Sequence, residues 1–160
     1  MNEATALKRF ERYLKQRDLR VTSQRRDILS LAWSTHEHFS AEELYAWAKE
    51  RDASTSRATV YRTLALLVEG GFLSPLDSGR GQLLYEHILG HHHHDHMICL
   101  QCGKILEFRC EAIEQLQLEE AKRRRFHLVN HSLTLEGYCG SCLKENPNLA
   151  VDPAEAEVEF

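Results

Sequence analysis

The sequence predicts an α+β chain made of two unlike halves, and three observations carry that expectation. Apolar residues recur at helical spacing through the first seventy positions and stop at Gly70-Gly71. Two short strand-like runs then flank the turn-rich segment Asp77-Ser78-Gly79-Arg80-Gly81. All five cysteines and eight of the ten histidines lie at or after His87. Helices closed by a small hairpin describe an N-terminal winged helix-turn-helix, and the Cys- and His-rich remainder describes a C-terminal α/β domain with metal sites.

The elements follow in order. Residues 5 to 17 form a helix with Leu7, Phe10 and Leu14 inward and bases between them. Thr22 caps a second helix reaching about residue 34, with Ile28, Leu31 and Ala32 inward. Ser40 followed by Glu43 is a capping box for a third helix, whose buried stripe is Leu44, Trp47 and Ala48. After the polar RDASTS stretch, a fourth helix from about Arg57 to Glu69 buries Val60, Leu64, Leu67 and Val68. It presents Thr59 and Arg62 on its other side, with Tyr61 on the border. Residues 72–74 and 82–85 are the hairpin strands. A helix with Thr, Tyr and Arg outward suits a major groove, where phosphates and base edges need donors; a core Tyr and a solvated Arg are the plainer account of the same spacing.

Composition bounds the function. Among 160 residues, 42% are hydrophobic and 28% charged, and no run of about eighteen apolar residues occurs, so no membrane span is expected. The opening MNEATALKRFERYL carries acids early and lacks an apolar core before a small-residue cleavage site, so a cytoplasmic protein is expected. A net charge of −4 argues against a uniformly basic nucleic-acid binder, but the charge is uneven. Residues 1 to 85 carry +2 and residues 86 to 160 carry −6, while the first thirty hold eight bases against four acids. A phosphate-facing surface fits there.

The strongest signal is a pair of C-x-x-C motifs, Cys99/Cys102 and Cys139/Cys142, separated by 36 residues. Two residues between thiolates turn both sulfurs onto one tetrahedral ion, so four cysteines close a structural zinc site. A disulfide framework is the competing reading of the same residues. Cys110 is the odd thiol, a packing residue at the start of a helix. Upstream runs His91-His92-His93-His94-Asp95-His96. Extended backbone alternates its faces, so His94 and His96 serve one metal while His93 and Asp95 serve another; His91 and His92 are expected to be solvated. Further ligand candidates are Glu107 on the strand KILEF, Glu114 on the following helix, and His131 in VNHSLTL. Val129, His131, Leu133 and Leu135 share one strand parity, which points His131 to the apolar side.

The segments HFSAEELY, SRATVYRTL, YEH, HHDHMICLQCGKILEF, VNHSL and GYCGSC, in this order, resemble the ferric uptake regulator family. The resemblance implies homodimeric metal-sensing repressors that bind double-stranded DNA through the winged helix and dimerise through the C-terminal domain. It implies structural zinc at Cys99, Cys102, Cys139 and Cys142, a regulatory site of His38, Glu86, His94, His96 and Glu107, and an additional site of His93, Asp95, Glu114 and His131. It also implies DNA contacts from Tyr61 and Arg62 and a minor-groove contact from Arg20, beside the Thr59 already noted. The domains so implied are a winged helix over 1–86, a hinge at 87–90, a metal-binding dimerisation domain over 91–145 and an acidic tail over 146–160. Departures from the family pattern are the four consecutive histidines, the extra Cys110, the DPAEAEVEF tail and a stretched spacing from Glu86 to His94, which makes His87 the neighbouring alternative to Glu86.

A mixed His and carboxylate set suits Fe(II) first, with Mn(II) or Zn(II) able to enter. The expectation is therefore an iron-responsive repressor of palindromic AT-rich operators. Manganese or peroxide sensing is the alternative within the superfamily, and metal storage or delivery without DNA binding is the alternative outside it. Neither a catalytic residue nor a small organic substrate is expected, because a zinc hydrolase motif such as H-E-x-x-H is missing from the sequence.

Overall fold

Asn2 opens the first helix, α1 (Glu3–Gln16), by accepting a hydrogen bond from the Thr5 amide at 3.0 Å. Its buried stripe is Ala6, Phe10 and Leu14, at spacings of four, and Leu7 is only half-buried. Thr22 caps α2 (Ser23–Ser34) as expected, but Ile28, Leu29, Ala32 and Trp33 form its buried face and Leu31 lies at the margin. The computed structural model describes residues 2–35, 37–88, 90 and 93–150, and the chain divides into two compact units, 1–92 and 93–160. His91, His92 and the tail beyond 150 lie outside the described residues.

In the first unit, β1 (Phe39–Ser40) runs directly into α3 (Ala41–Arg51). Ser40 Oγ accepts from the Glu43 amide at 3.2 Å, while Glu43 Oε2 accepts from the Ser40 amide at 2.7 Å, completing the capping box. The Ser40 hydroxyl, which donates to Glu43 Oε2 at 2.6 Å, and then the Ser40 amide hold the Glu43 carboxyl below its usual range. Ser56 caps α4 (Arg57–Glu69), which buries Val60, Thr63, Leu64 and Leu67. Thr63 is tolerated there because its hydroxyl donates back to the Thr59 carbonyl at 2.8 Å. The helix ends at Gly70, and Gly71 takes a φ of +69° that lets the chain reverse and drop Phe72 against Phe10, ring centroids 5.4 Å apart.

The hairpin strands are longer than expected: β2 (Leu73–Asp77) and β3 (Leu83–His87) pair antiparallel, and β1 adds to the other edge of β3 in the order β1-β3-β2. Two residues are too few to show a period, so β1 left no mark in the sequence pattern. A side-chain network fixes the turn between α3 and α4. Asp52 accepts from the Ser54 amide at 2.9 Å and from Gln24 Nε2, on α2, at 3.1 Å. The Ser54 hydroxyl leads the same donors in lowering the Asp52 carboxyl from 3.8 to about 2.

The second unit is a three-stranded sheet, β5-β4-β6, with one helix crossing over. β4 (Asp95–Cys99) pairs antiparallel with β5 (Ile105–Phe108) and parallel with β6 (Thr134–Gly137); α5 (Glu111–Arg123) makes the crossover and α6 (Gly140–Glu145) follows. The expected strand through 129–135 is corrected. Strand pairing starts only at Thr134, opposite His96 near the start of β4; the Leu133 carbonyl still accepts from the His96 amide at 3.1 Å, but residues 126–133 form no strand. Val129 is accordingly 85% exposed rather than facing a core. Met97 lies in register with both Leu106 and Leu135, and all three are exposed, forming an uncovered apolar row across the sheet. Among the described residues no helix is long and apolar enough to cross a membrane.

Two outcomes follow for the first unit. Ser40→Ala is expected to cost about 1 kcal/mol of unfolding free energy, measured by denaturant titration. Asp52 has a folded pKa below its unfolded one, so its contribution is present above about pH 4 and is lost as pH falls toward 2. Asp52→Asn should therefore melt earlier than wild type at pH 7, and the gap in Tm should close across that acid window. A gap independent of pH would contradict the network.

Candidate metal centres and nucleic-acid interface

β4 ends at Cys99, and the next turn carries Cys102 followed by Gly103 at a φ of 75°. Cys139 is the N-cap of α6 and Cys142 lies within that helix. The four Sγ atoms lie within 4.8 Å of one another, with Cys99 to Cys142 and Cys102 to Cys139 both at 3.8 Å. All five cysteines are free, and 3.8 Å is far beyond a disulfide bond of about 2.05 Å. Sulfurs placed tetrahedrally around zinc at about 2.3 Å stand roughly 3.8 Å apart, so the set fits that ion. Backbone amides of Cys102 and Cys139 hold the Cys99 thiol down to about 6, while burial pushes Cys142 up. A cation among the sulfurs favours the thiolate of each.

A second cluster forms where the start of β4 meets α5. His93 Nε2 lies 3.2 Å from Asp95 Oδ1 and 3.4 Å from Glu114 Oε1, and His131 Nε2 lies 2.7 Å from Glu114 Oε2. The Asp95 side chain is 0% exposed and its Oδ2 has no hydrogen-bond partner, while Glu114 Oε1 has only the longer His93 contact. Two carboxylates gathered beside two imidazoles, one with a buried unpartnered oxygen, are costly unless a cation meets them, so this donor set fits a divalent metal. His131 is therefore a polar partner of α5 and does not follow the strand parity expected for it.

On the alternate side of the same segment, the His94 and His96 rings lie 5.0 Å apart, and His94 Nε2 stands 3.9 Å from Glu107 Oε1. The β4–β5 register places His96 opposite Glu107. In the first unit, Phe39 pairs with Tyr85, which brings the preceding His38 beside the following Glu86; His38 Nε2 is 3.6 Å from Glu86 Oε2, and both side chains are largely buried. The strand alternation turns His87 the other way, onto the Trp33 ring at 4.8 Å.

The face of α4 supplies the second kind of chemistry. Arg20, Thr22, Gln24, Arg25, Thr59 and Arg62 line a cleft of about 400 Å³ between the N-terminus of α2 and α4. Arg20 and Arg62 are exposed, while Thr59 is half-buried with its hydroxyl 3.0 Å from Ser56 Oγ. Tyr61 is exposed and donates to Glu42 Oε1 at 2.8 Å, a bond that keeps its phenol protonated above the usual range. Arg57 donates to the same Glu42 oxygen at 2.9 Å. Arg25 belongs to the basic excess of the first thirty residues, whereas Gln24, Glu42 and Arg57 were not singled out from the sequence. The only signal of those three was helical phase, which solvated residues share.

A winged helix that presents Tyr61 and Arg62, in one chain with clustered metal-ligand side chains, defines a metal-responsive DNA-binding regulator. The comparisons with known proteins agree. The ferric uptake regulator family profile matches residues 16–136. The ferric uptake regulation protein of Campylobacter jejuni is 38% identical over 147 residues, covering 91% of this chain and 93% of that protein. A solved structure of the Helicobacter pylori ferric uptake regulator, described as having three functional metal binding sites, superposes with a TM-score of 0.79 at 33% identity over 89% of this chain and 94% of that one. A zinc uptake regulator complexed with zinc and DNA gives a TM-score of 0.58 at 26% identity over 92% of this chain and 99% of that one. The chain belongs to the ferric uptake regulator family.

Cys99→Ser should lose one tightly held zinc per chain, counted by elemental analysis after dialysis. Arg62→Ala, in the other unit, should keep it. Full zinc retention in Cys99→Ser would remove the four-thiolate assignment.

Proposed function

We propose that this protein is a cytoplasmic transcriptional repressor that binds palindromic, AT-rich double-stranded DNA as a homodimer when loaded with Fe(II). The observation that carries the reading is the His38–Glu86 pair at 3.6 Å. A DNA-binding unit has no use of its own for a buried His and carboxylate on its wing sheet, whereas a sensor needs ligands on the part that must be oriented.

In this reading the winged helix spans 1–86, a hinge spans 87–90, the metal-binding dimerisation domain spans 91–145 and an acidic tail follows over 146–160. The regulatory donors are His38 and Glu86 from the first domain with His94, His96 and Glu107 from the second. His93, Asp95, Glu114 and His131 form an additional site, and Cys99, Cys102, Cys139 and Cys142 hold structural zinc. When bound, the regulatory cation would supply the positive charge that these His and carboxylate donors need. His38 and Glu86, fixed by the β1–β3 register, would tie the winged helix to it. His94, His96 and Glu107 would hold it from the β4–β5 pair. Moving the orientation from 1:99 to 99:1 needs roughly a 10⁴-fold difference in affinity between the two arrangements, about 5.5 kcal/mol.

The uncovered row of Met97, Leu106 and Leu135 supports a second copy as the dimer partner. Two-fold symmetry then matches two recognition helices to a palindrome, with Tyr61 and Arg62 at base edges, Arg20 at the minor groove and Thr59 at the helix start. Nitrogen and carboxylate donors without thiolate at the regulatory site suit Fe(II), and Mn(II) is the practical substitute in air. The donor sets are assigned to regulation rather than to catalysis on an organic substrate.

An anaerobic titration read out by DNA binding tests this. Fe(II) or Mn(II) should tighten binding to a palindromic AT-rich duplex at least tenfold over the chelator-treated, zinc-retaining protein. Equal affinity in both samples would overturn the reading. Arg62→Ala should lose the duplex while its metal content is unchanged.

A further inference from the structure

Glu42 and Glu43 are neighbours in the first turn of α3, yet they do different work. Glu43 is consumed by the capping box, its carboxylate on the Ser40 amide and hydroxyl. Glu42 points to the surface, and one of its oxygens, Oε1, accepts from both Arg57 at 2.9 Å and Tyr61 at 2.8 Å. Both donors lie in the first half of α4, and Arg57 also stacks on the Tyr45 ring, guanidinium carbon 5.0 Å from its centroid.

An exposed ion pair of this kind adds little to stability: the Glu42 and Arg57 side chains are 50% and 64% exposed. Its effect is on charge and geometry at the edge of the recognition helix. A carboxylate there repels phosphates, and it holds the guanidinium that would otherwise neutralise one. Arg62, five residues on, pairs with no carboxylate among the described residues, so α4 offers one cation in place of two. The Tyr61 hydroxyl is meanwhile held in one direction before any DNA arrives.

We propose that Glu42 is a specificity-determining residue: by occupying Arg57 and Tyr61 it withholds one sequence-independent phosphate contact from the recognition helix and presets the tyrosine that reads bases. This rests on the DNA-binding reading above and adds to it a reason for low affinity toward unspecific duplex. Sequence-independent affinity comes from neutralised phosphates, and each adds about 0.9 to the steepness with which log K falls against log salt. Removing the Glu42 charge releases Arg57 for such a contact.

The test uses full-length, Mn(II)-loaded protein and fluorescence anisotropy from 50 to 200 mM salt. The two probes are a duplex enriched by the wild type from a randomised pool and a scrambled duplex of the same composition. Glu42→Gln should bind the scrambled duplex up to tenfold tighter, with a salt slope steeper by about 0.9, and should lose a similar factor in discrimination. Adding Arg57→Ala to that variant should restore the wild-type slope. Arg57→Ala alone, which covers the case of a misfolded Glu42 variant, should leave the slope unchanged, because Arg57 touches no phosphate in the wild type. An unchanged slope in Glu42→Gln, an equal loss on both duplexes, or a slope shallower by about 0.9 in Arg57→Ala alone would each overturn the proposal and leave the DNA-binding reading standing. If the wild type enriches no duplex, that reading fails and this one with it.

Discussion

Strand alternation over four residues sets the terms for the metal chemistry of this protein. Residues 93–96 lead into β4, a five-residue strand in the middle of its sheet, so successive side chains there face opposite sides. His93 and Asp95 go to Glu114 and His131; His94 and His96 go toward β5 and Glu107. The same strand ends in Cys99, which anchors the four-thiol cluster. Three donor sets thus hang from one strand, and a change in its register would move all of them together. The burial of Asp95, with an oxygen left unpartnered, is a local cost to the stability of the sheet.

The first unit answers a different constraint, the placement of one helix against solvent. Gln24, Asp52 and Ser54 lock the turn before α4 to α2, and Ser56 then starts α4 in a defined phase. Because phase sets which side chains emerge, the exposed face with Tyr61 and Arg62 depends on those polar contacts as well as on the core of Val60, Leu64 and Leu67. The local excess of bases in the first thirty residues is partly spent within the protein, since Arg17 pairs with Glu69 and Arg26 with Glu11. The electrostatics toward DNA therefore depend on individual pairings more than on net charge.

Much of this was legible in the residues. The capping box at Ser40, the end of α4 at Gly70-Gly71 and the two C-x-x-C knuckles are local rules, and each holds in the structure. The division of His93 and Asp95 from His94 and His96 follows from backbone period alone. What the sequence hid was set at long range. Leu31 and Val68 yield their inward places to Leu29, Trp33 and Thr63, because helix packing chose a face of slightly different phase. His131 has the right spacing for an apolar face, yet the strand begins only at Thr134 and His131 turns to Glu114 instead. The Glu42–Arg57–Tyr61 contact joins residues 15 and 19 positions apart on different helices and leaves no periodic trace.

Strand parity separates the two His sets, and the Mn(II) dependence of DNA binding in His96→Ala and His93→Ala measures that separation directly. His96→Ala should no longer respond to Mn(II), while His93→Ala should still tighten on the duplex as metal is added. Equal loss of response in both variants would contradict the separation.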